Sequence, residues 1–207
     1  GSPPLCNFDC RMCYVHMTPQ QVRESGLTMM TNDEWLRLAE EAKEQGMLYL
    51  LLTGGEPFLH PGFRQLYEKL TEMGFILSIN SNGALIDDDT IRWLRERPPC
   101  RINITLYGAS ETAYEKLCGR ADGFAKVKKA IEGLREAEIS VKLNCSLTPW
   151  NACDLKEMIQ FAETRGLILE IASYMFPAIR GGQQNIGRND RFTPEETAGF
   201  RKLNHLL

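Results

Sequence analysis

Arg101-Ile102-Asn103-Ile104-Thr105-Leu106-Tyr107 decides how this chain folds. Ile102, Ile104 and Leu106 fall on one side of a period-two strand, and Asn103, Thr105 and Tyr107 fall on the other. The same split recurs along the chain. Residues 75–82 group the polar Ser78, Asn80 and Asn82 on one face. Residues 140–147 set Lys142, Asn144 and Ser146 against Val141, Leu143 and Cys145. Residues 167–174 set Glu170, Ala172 and Tyr174 against Leu169 and Ile171. A fifth strand, 48–52, is continuously apolar.

Between these strands lie amphipathic helical stretches. Thr31 and Glu34 offer capping chemistry ahead of Trp35, Leu38, Ala39 and Ala42, which share a face up to Gly46. Pro61 opens the next helix, with Phe63, Leu66, Tyr67 and Leu70 on one side and Gly74 at its end. Further helices are expected over 87–97, over 111–117 and 123–137, and over 155–165. A last one opens at Thr193-Pro194-Glu195-Glu196 and runs to 207.

Strands alternating with helices imply a parallel sheet with right-handed crossovers. A parallel strand covered on both sides should be apolar on both faces. Four of these strands carry one polar face, which predicts an incomplete α/β barrel with apolar faces under the helices and polar faces lining a cavity. A half-exposed open sheet is the alternative. A first strand is expected just before Cys6, where only Pro3-Pro4-Leu5 stand. The pair Gly1-Ser2 is set aside as an expression scar. Residues 3–192 are read as one barrel domain, and 193–207 as the start of a C-terminal helix belonging to a longer protein.

Composition narrows the function. The 207 residues are 43% apolar and 25% charged, enough for one sizeable core. A net charge of −3 and a pI of 5.7 leave no electrostatic footprint for nucleic acid or an anionic membrane. No apolar run approaches the roughly 18 residues of a membrane span, and no signal peptide precedes the first motif. Seven cysteines cannot all pair as disulfides, so a reducing cytoplasm is expected and the thiols read as ligands or core residues.

Cys6-Asn7-Phe8-Asp9-Cys10-Arg11-Met12-Cys13-Tyr14 puts three soft ligands on one short loop. A [4Fe–4S] cubane held by three cysteines keeps one iron without a protein ligand. Zinc with His16 as fourth ligand is the competing reading of the loop alone. Thr53-Gly54-Gly55-Glu56-Pro57 directly follows the apolar strand; its glycines admit a ligand close to the backbone, and Glu56 can accept from an ammonium group. An ordinary strand-to-helix turn is the bland alternative.

Taken together, the Cys-x3-Cys-x2-Cys loop, the aromatic Tyr14 and the Gly54-Gly55-Glu56-Pro57 turn resemble the radical S-adenosylmethionine superfamily. Asn80-Ser81-Asn82-Gly83, Ile104-Thr105-Leu106-Tyr107-Gly108 and the segment 112–120 are similar to its peptide-modifying branch, the sulfatase and ribosomal-peptide maturases. The resemblance implies a partial (β/α)6 TIM-type barrel and two cofactors, a [4Fe–4S] cluster on Cys6, Cys10 and Cys13 and S-adenosylmethionine on the open iron. It also implies reductive cleavage to a 5′-deoxyadenosyl radical that abstracts hydrogen from a peptide or protein. An external flavodoxin- or ferredoxin-like protein would supply the electron.

The implied cofactor contacts are Thr53, Gly54, Gly55, Glu56 and Pro57 toward the methionyl amine and Tyr14 toward the adenine. Thr105 and Asn144 face the ribose and Arg120 or Lys142 the carboxylate, with Asn82 nearby. A small-molecule substrate shares every one of these motifs, and a zinc-stabilised binding module is the non-enzymatic alternative. Cys100, Cys118, Cys145 and Cys153 lack ligand spacing and read as ordinary thiols. His60 reads as a local polar contact, Phe8, Met12 and Met17 as packing around the cluster, and the loop 181–185 as a polar surface loop.

Overall fold

The computed structural model describes residues 3–13, 15, 17, 19–173 and 192–204. The features expected at Tyr14, His16, Tyr174 and 181–185 lie outside them. Among the described residues five parallel strands form one open sheet in the order β1-β2-β3-β4-β5, with no closure into a barrel. They are β1 (Tyr49–Leu52), β2 (Ile76–Ser81), β3 (Arg101–Thr105), β4 (Val141–Ser146) and β5 (Leu169–Ala172). Eight α-helices are described beside them: α1 (Pro19–Ser25), α2 (Asn32–Glu44), α3 (Phe63–Glu72), α4 (Asp88–Glu96), α5 (Glu111–Cys118), α6 (Gly123–Glu136), α7 (Leu155–Glu163) and α8 (Pro194–Asn204). No described helix is long and apolar enough to cross a membrane.

Local chemistry sets the boundaries. Thr31 and Glu34 form the expected reciprocal cap of α2, with Glu34 N–H donating to Thr31 Oγ1 at 3.3 Å and Thr31 N–H to Glu34 Oε2 at 2.7 Å. The sequence reading missed α1, whose Pro-Gln-Gln-Val-Arg-Glu-Ser run has little apolar periodicity. It also ran β3 two residues too far. Leu106 N–H still bonds the Asn144 carbonyl at 2.8 Å, but the Tyr107 carbonyl is taken by Asn151 Nδ2 at 2.9 Å, which ends the ladder. Pro3–Leu5 forms no strand; it runs past the end of β1, and Leu5 O accepts from Glu56 N–H at 2.7 Å.

The two faces of the sheet differ as their sequences require. Ile79, Ile102, Ile104, Leu106 and Leu143 are fully buried and share one core with Leu94, Val127, Ile131, Leu134 and Met158 from the helices. The opposite face aligns Asn80 with Asn103 and Lys142 in one row, and Thr105 with Asn144 and Glu170 in the next. Lys142 and Glu170 pair as ions, and Asn103 Nδ2 donates to Asn80 Oδ1 at 2.7 Å. Toward β1 the same face turns apolar: Leu51 lies beside Ser78, and Tyr49 beside Ile76. Tyr49, Leu51 and Ile76 are all exposed.

The Gly54-Gly55 pair divides into one constrained and one free position. A Cβ on Gly55 would sit 2.0 Å from Leu5 O, whereas one on Gly54 would meet nothing within 4 Å. Gly55→Ala should therefore cost about 1–3 kcal/mol through overpacking, and Gly54→Ala less than about 0.5 kcal/mol. Urea titration of both variants checks this, and equal costs would contradict the close passage of Leu5.

Candidate active site

The cysteine loop is held by the end of a helix. The last carbonyls of an α-helix have no partner within it, and α5 offers them to the loop. Asp9 N–H donates to Cys118 O and Arg11 N–H to Leu117 O, both at 3.0 Å, while Arg11 Nε reaches Lys116 O at 2.7 Å. Gly119, with φ of 67°, turns the chain away in the left-handed conformation that frees this end. Phe8 is buried and meets Tyr107 and Tyr114 edge-on at centroid distances of 6.0 and 6.1 Å. The Arg11 guanidinium lies 4.5 Å over the Trp150 ring.

Within the loop Cys10 is buried, Cys13 half-buried and Cys6 exposed. Cys13 N–H donates to the Cys10 carbonyl at 3.0 Å. Two N–H groups point at Cys6 Sγ: the Phe8 backbone at 3.5 Å and Asn82 Nδ2 at 3.7 Å. Cys10 has Tyr107 and Cys118 as side-chain partners.

The Thr53–Pro57 turn reaches this loop through Glu56. Its carboxylate is buried and accepts from Ser81 Oγ at 2.8 Å, Asn82 N–H at 2.8 Å and Phe58 N–H at 3.3 Å. All of these described partners are groups of the protein, and they tie the exit of β1 to the exit of β2. Burial still dominates and pushes the Glu56 carboxyl up to about 7, against the pull of the Asn82, Ser81 and Phe58 hydrogen bonds. Thr53 and Gly54 are exposed and Gly55, packed against Leu5, is half-buried.

The remaining candidates are placed as follows. Thr105 and Asn144 are direct neighbours in register, both half-buried on the polar face. Asn82 is buried at the exit of β2, beside the loop. The Arg120 guanidinium is engaged by Asp122, at 3.1 Å to Oδ1 and 3.3 Å to Oδ2. Lys142 is engaged by Glu170.

Sequence reasoning missed Asn7, Ser81, Asn151 and Asp154. Asn151 is fully buried and binds both the Tyr107 and Ser146 carbonyls, at 2.9 and 3.2 Å. Asp154 accepts from Ala109 N–H at 2.8 Å and from Ser110 Oγ at 2.7 Å. Together they fasten the exits of β3 and β4. Their only sequence signal is an Asn or Asp in a strand-exit turn such as Thr148-Pro149-Trp150-Asn151.

The donor set suits an iron–sulfur cluster. Among the described residues no three Cys, His, Asp or Glu side chains gather around a point that would hold a single metal ion. A cubane asks for something else: soft thiolates spread over separate irons, with N–H donors turned to the sulfurs. Three cysteines on an anchored loop, with two N–H groups aimed at Cys6, meet that description.

The family model of the Radical SAM superfamily matches residues 2–162. The chain belongs to that superfamily. Its cofactors are accordingly a [4Fe–4S] cluster and S-adenosylmethionine, and it is an enzyme domain. The chain is 23% identical over 180 residues to an AdoMet-dependent heme synthase of Methanosarcina barkeri, covering 87% of this chain and 50% of that protein. It is 26% identical over 172 residues to a PqqA peptide cyclase of Granulibacter bethesdensis, covering 83% and 45%. Among solved structures, native anSMEcpe with bound AdoMet and Cp18Cys peptide superposes with a TM-score of 0.77 at 18% identity, covering 99% of this chain and 56% of that one. The fold is thus the partial barrel of this superfamily, and the chain spans about half the length of the curated relatives it matches.

Glu56 gives this site a pH signature in the cluster-free protein. Its carboxyl titrates near 7 when folded, against an ordinary 4.5. Between those values the native state holds a proton that the unfolded chain has released, so stability falls as pH rises through the window, by about 3 kcal/mol in all. Urea titrations from pH 4.5 to 7.5 should show that slope, and Glu56→Gln should remove it. An unchanged slope in the variant would contradict the buried carboxyl.

Proposed function

We propose that Cys6, Cys10 and Cys13 each ligate one iron of the cluster, and that the enzyme acts on a peptide or protein side chain. The observation that supports the first part is the anchored loop, which carries Cys6, Cys10 and Cys13 beside the exits of β1 and β2. The second part is supported by the named activity of the PqqA peptide cyclase and by the peptide bound to anSMEcpe. The heme synthase favours a small molecule as the alternative.

When bound, the cluster and S-adenosylmethionine supply one-electron cleavage chemistry and a 5′-deoxyadenosyl radical. The chain's own residues position and shield. The Gly54-Gly55 turn, open at Gly54, would receive the methionyl amine. The Thr105 hydroxyl and the Asn144 amide, adjacent on the inner face, would bind the ribose hydroxyls, and the Tyr14 backbone would meet the adenine. Phe8, wedged against Tyr107 and Tyr114, closes the apolar side of the loop to water. Arg120 and Lys142 reach a carboxylate only by leaving Asp122 and Glu170. A flavodoxin- or ferredoxin-like protein would deliver the electron, and the setting would be the cytoplasm.

Cys10→Ala should reduce 5′-deoxyadenosine formation to background in anaerobically reconstituted, dithionite-reduced protein, and wild-type levels would refute the ligand assignment. A deuterated candidate peptide should pass its label into 5′-deoxyadenosine. Label transfer from a small metabolite, with none from peptides, would move the assignment to the alternative.

A further inference from the structure

Asn82 has its backbone N–H and its side-chain amide committed, and the commitments fix which way the amide faces. Its backbone N–H is held by Glu56 Oε2 at 2.8 Å, and its Oδ1 accepts from Ala84 N–H at 3.0 Å. Of the two amide atoms only the oxygen can accept from Ala84 N–H, so Nδ2 must face the other way. There it donates to Asn7 Oδ1 at 2.7 Å and points its second hydrogen at Cys6 Sγ, 3.7 Å away. The residue is buried, 6% exposed. Asn82 therefore stands between the Glu56 carboxylate and the first cysteine of the loop, gripping residue 7 with one hydrogen and the sulfur of residue 6 with the other.

We infer that Asn82 tunes the cluster: by donating to the Cys6 sulfur, its amide makes the bound cluster easier to reduce. This role is directed at a ligand sulfur, distinct from a contact with S-adenosylmethionine, and it rests on Cys6 being an iron ligand. The physical basis is charge. Reduction adds an electron that spreads onto the cluster sulfurs, and a hydrogen-bond donor stabilises the more negative state. The Phe8 backbone N–H at 3.5 Å acts in the same sense, but only Asn82 can be changed by substitution. Glu56 then serves through Asn82, by fixing the backbone from which the amide projects.

The test is an EPR-monitored redox titration of the reconstituted protein, with iron counted in each sample. Asn82→Asp keeps the size and the acceptor for Ala84 while replacing the donor by an anion. Asn82→Leu removes the donor without adding charge. Both should keep the wild-type iron content and lower the midpoint potential. At the wild-type midpoint their reduced-to-oxidised ratio should fall at least threefold, and further for Asp than for Leu. Asn82→Gln, which keeps an N–H donor, should recover part of the loss. An unchanged or raised potential in Asn82→Leu and Asn82→Asp would overturn the inference. So would loss of iron from both while their circular dichroism stays native, since Asn82 would then be needed only for loop shape. Failure of the wild-type protein itself to take up a four-iron cluster is a different result, which overturns the ligand assignment beneath it.

Discussion

The site depends on unpaired carbonyls at one helix end. Helix α5 stops at Cys118, and the carbonyls it leaves without intrahelical partners are taken by the backbone N–H groups on either side of Cys10. A loop carrying three thiols has no regular structure of its own to hold its shape. Here its backbone is fixed by groups that the helix would otherwise have had to offer to water. Phe8 locks the same loop from below through Tyr107 and Tyr114, so the cysteines are referenced to the end of β3 as well as to α5. Glu56 and Asn82 reference them to β1 and β2. The exits of β1, β2 and β3 thus all contribute to the position of one short loop.

The polar face beneath the loop has its own cost and its own use. Asn80, Asn103, Lys142 and Asn144 on neighbouring parallel strands give up the apolar burial that a doubly covered sheet would gain. Part of that cost is offset by hydrogen bonds across the rows, as between Asn103 and Asn80 and between Lys142 and Glu170. What remains is a polar face with donors and acceptors already in register.

Much of this was legible in the sequence because it follows from periodicity. The strict alternation in Arg101–Thr105 and in Val141–Ser146 announced one buried and one polar face, and the structure separates them as read. The cysteine spacing and the Gly54-Gly55 pair were equally visible, since each is a local pattern. Contacts between distant segments were not. Nothing in residues 6–13 says that their backbone will bond Leu117 and Cys118, and nothing in Glu56 says that its carboxylate will be spent on Ser81 and Asn82. Asn7, Asn151 and Asp154 escaped notice for the same reason: a single Asn or Asp in a turn is common, and its partner is set only by the fold. Helix α1 was missed because a short polar helix has no periodic signature.

Three-cysteine ligation implies an iron that the protein leaves to S-adenosylmethionine, and a spectrum can register that iron. The reduced cluster of the wild-type protein should change its EPR spectrum on addition of one equivalent of S-adenosylmethionine, with binding confirmed by equilibrium dialysis. An unchanged spectrum with the cofactor bound would contradict the assignment of Cys6, Cys10 and Cys13 as the complete set of protein ligands.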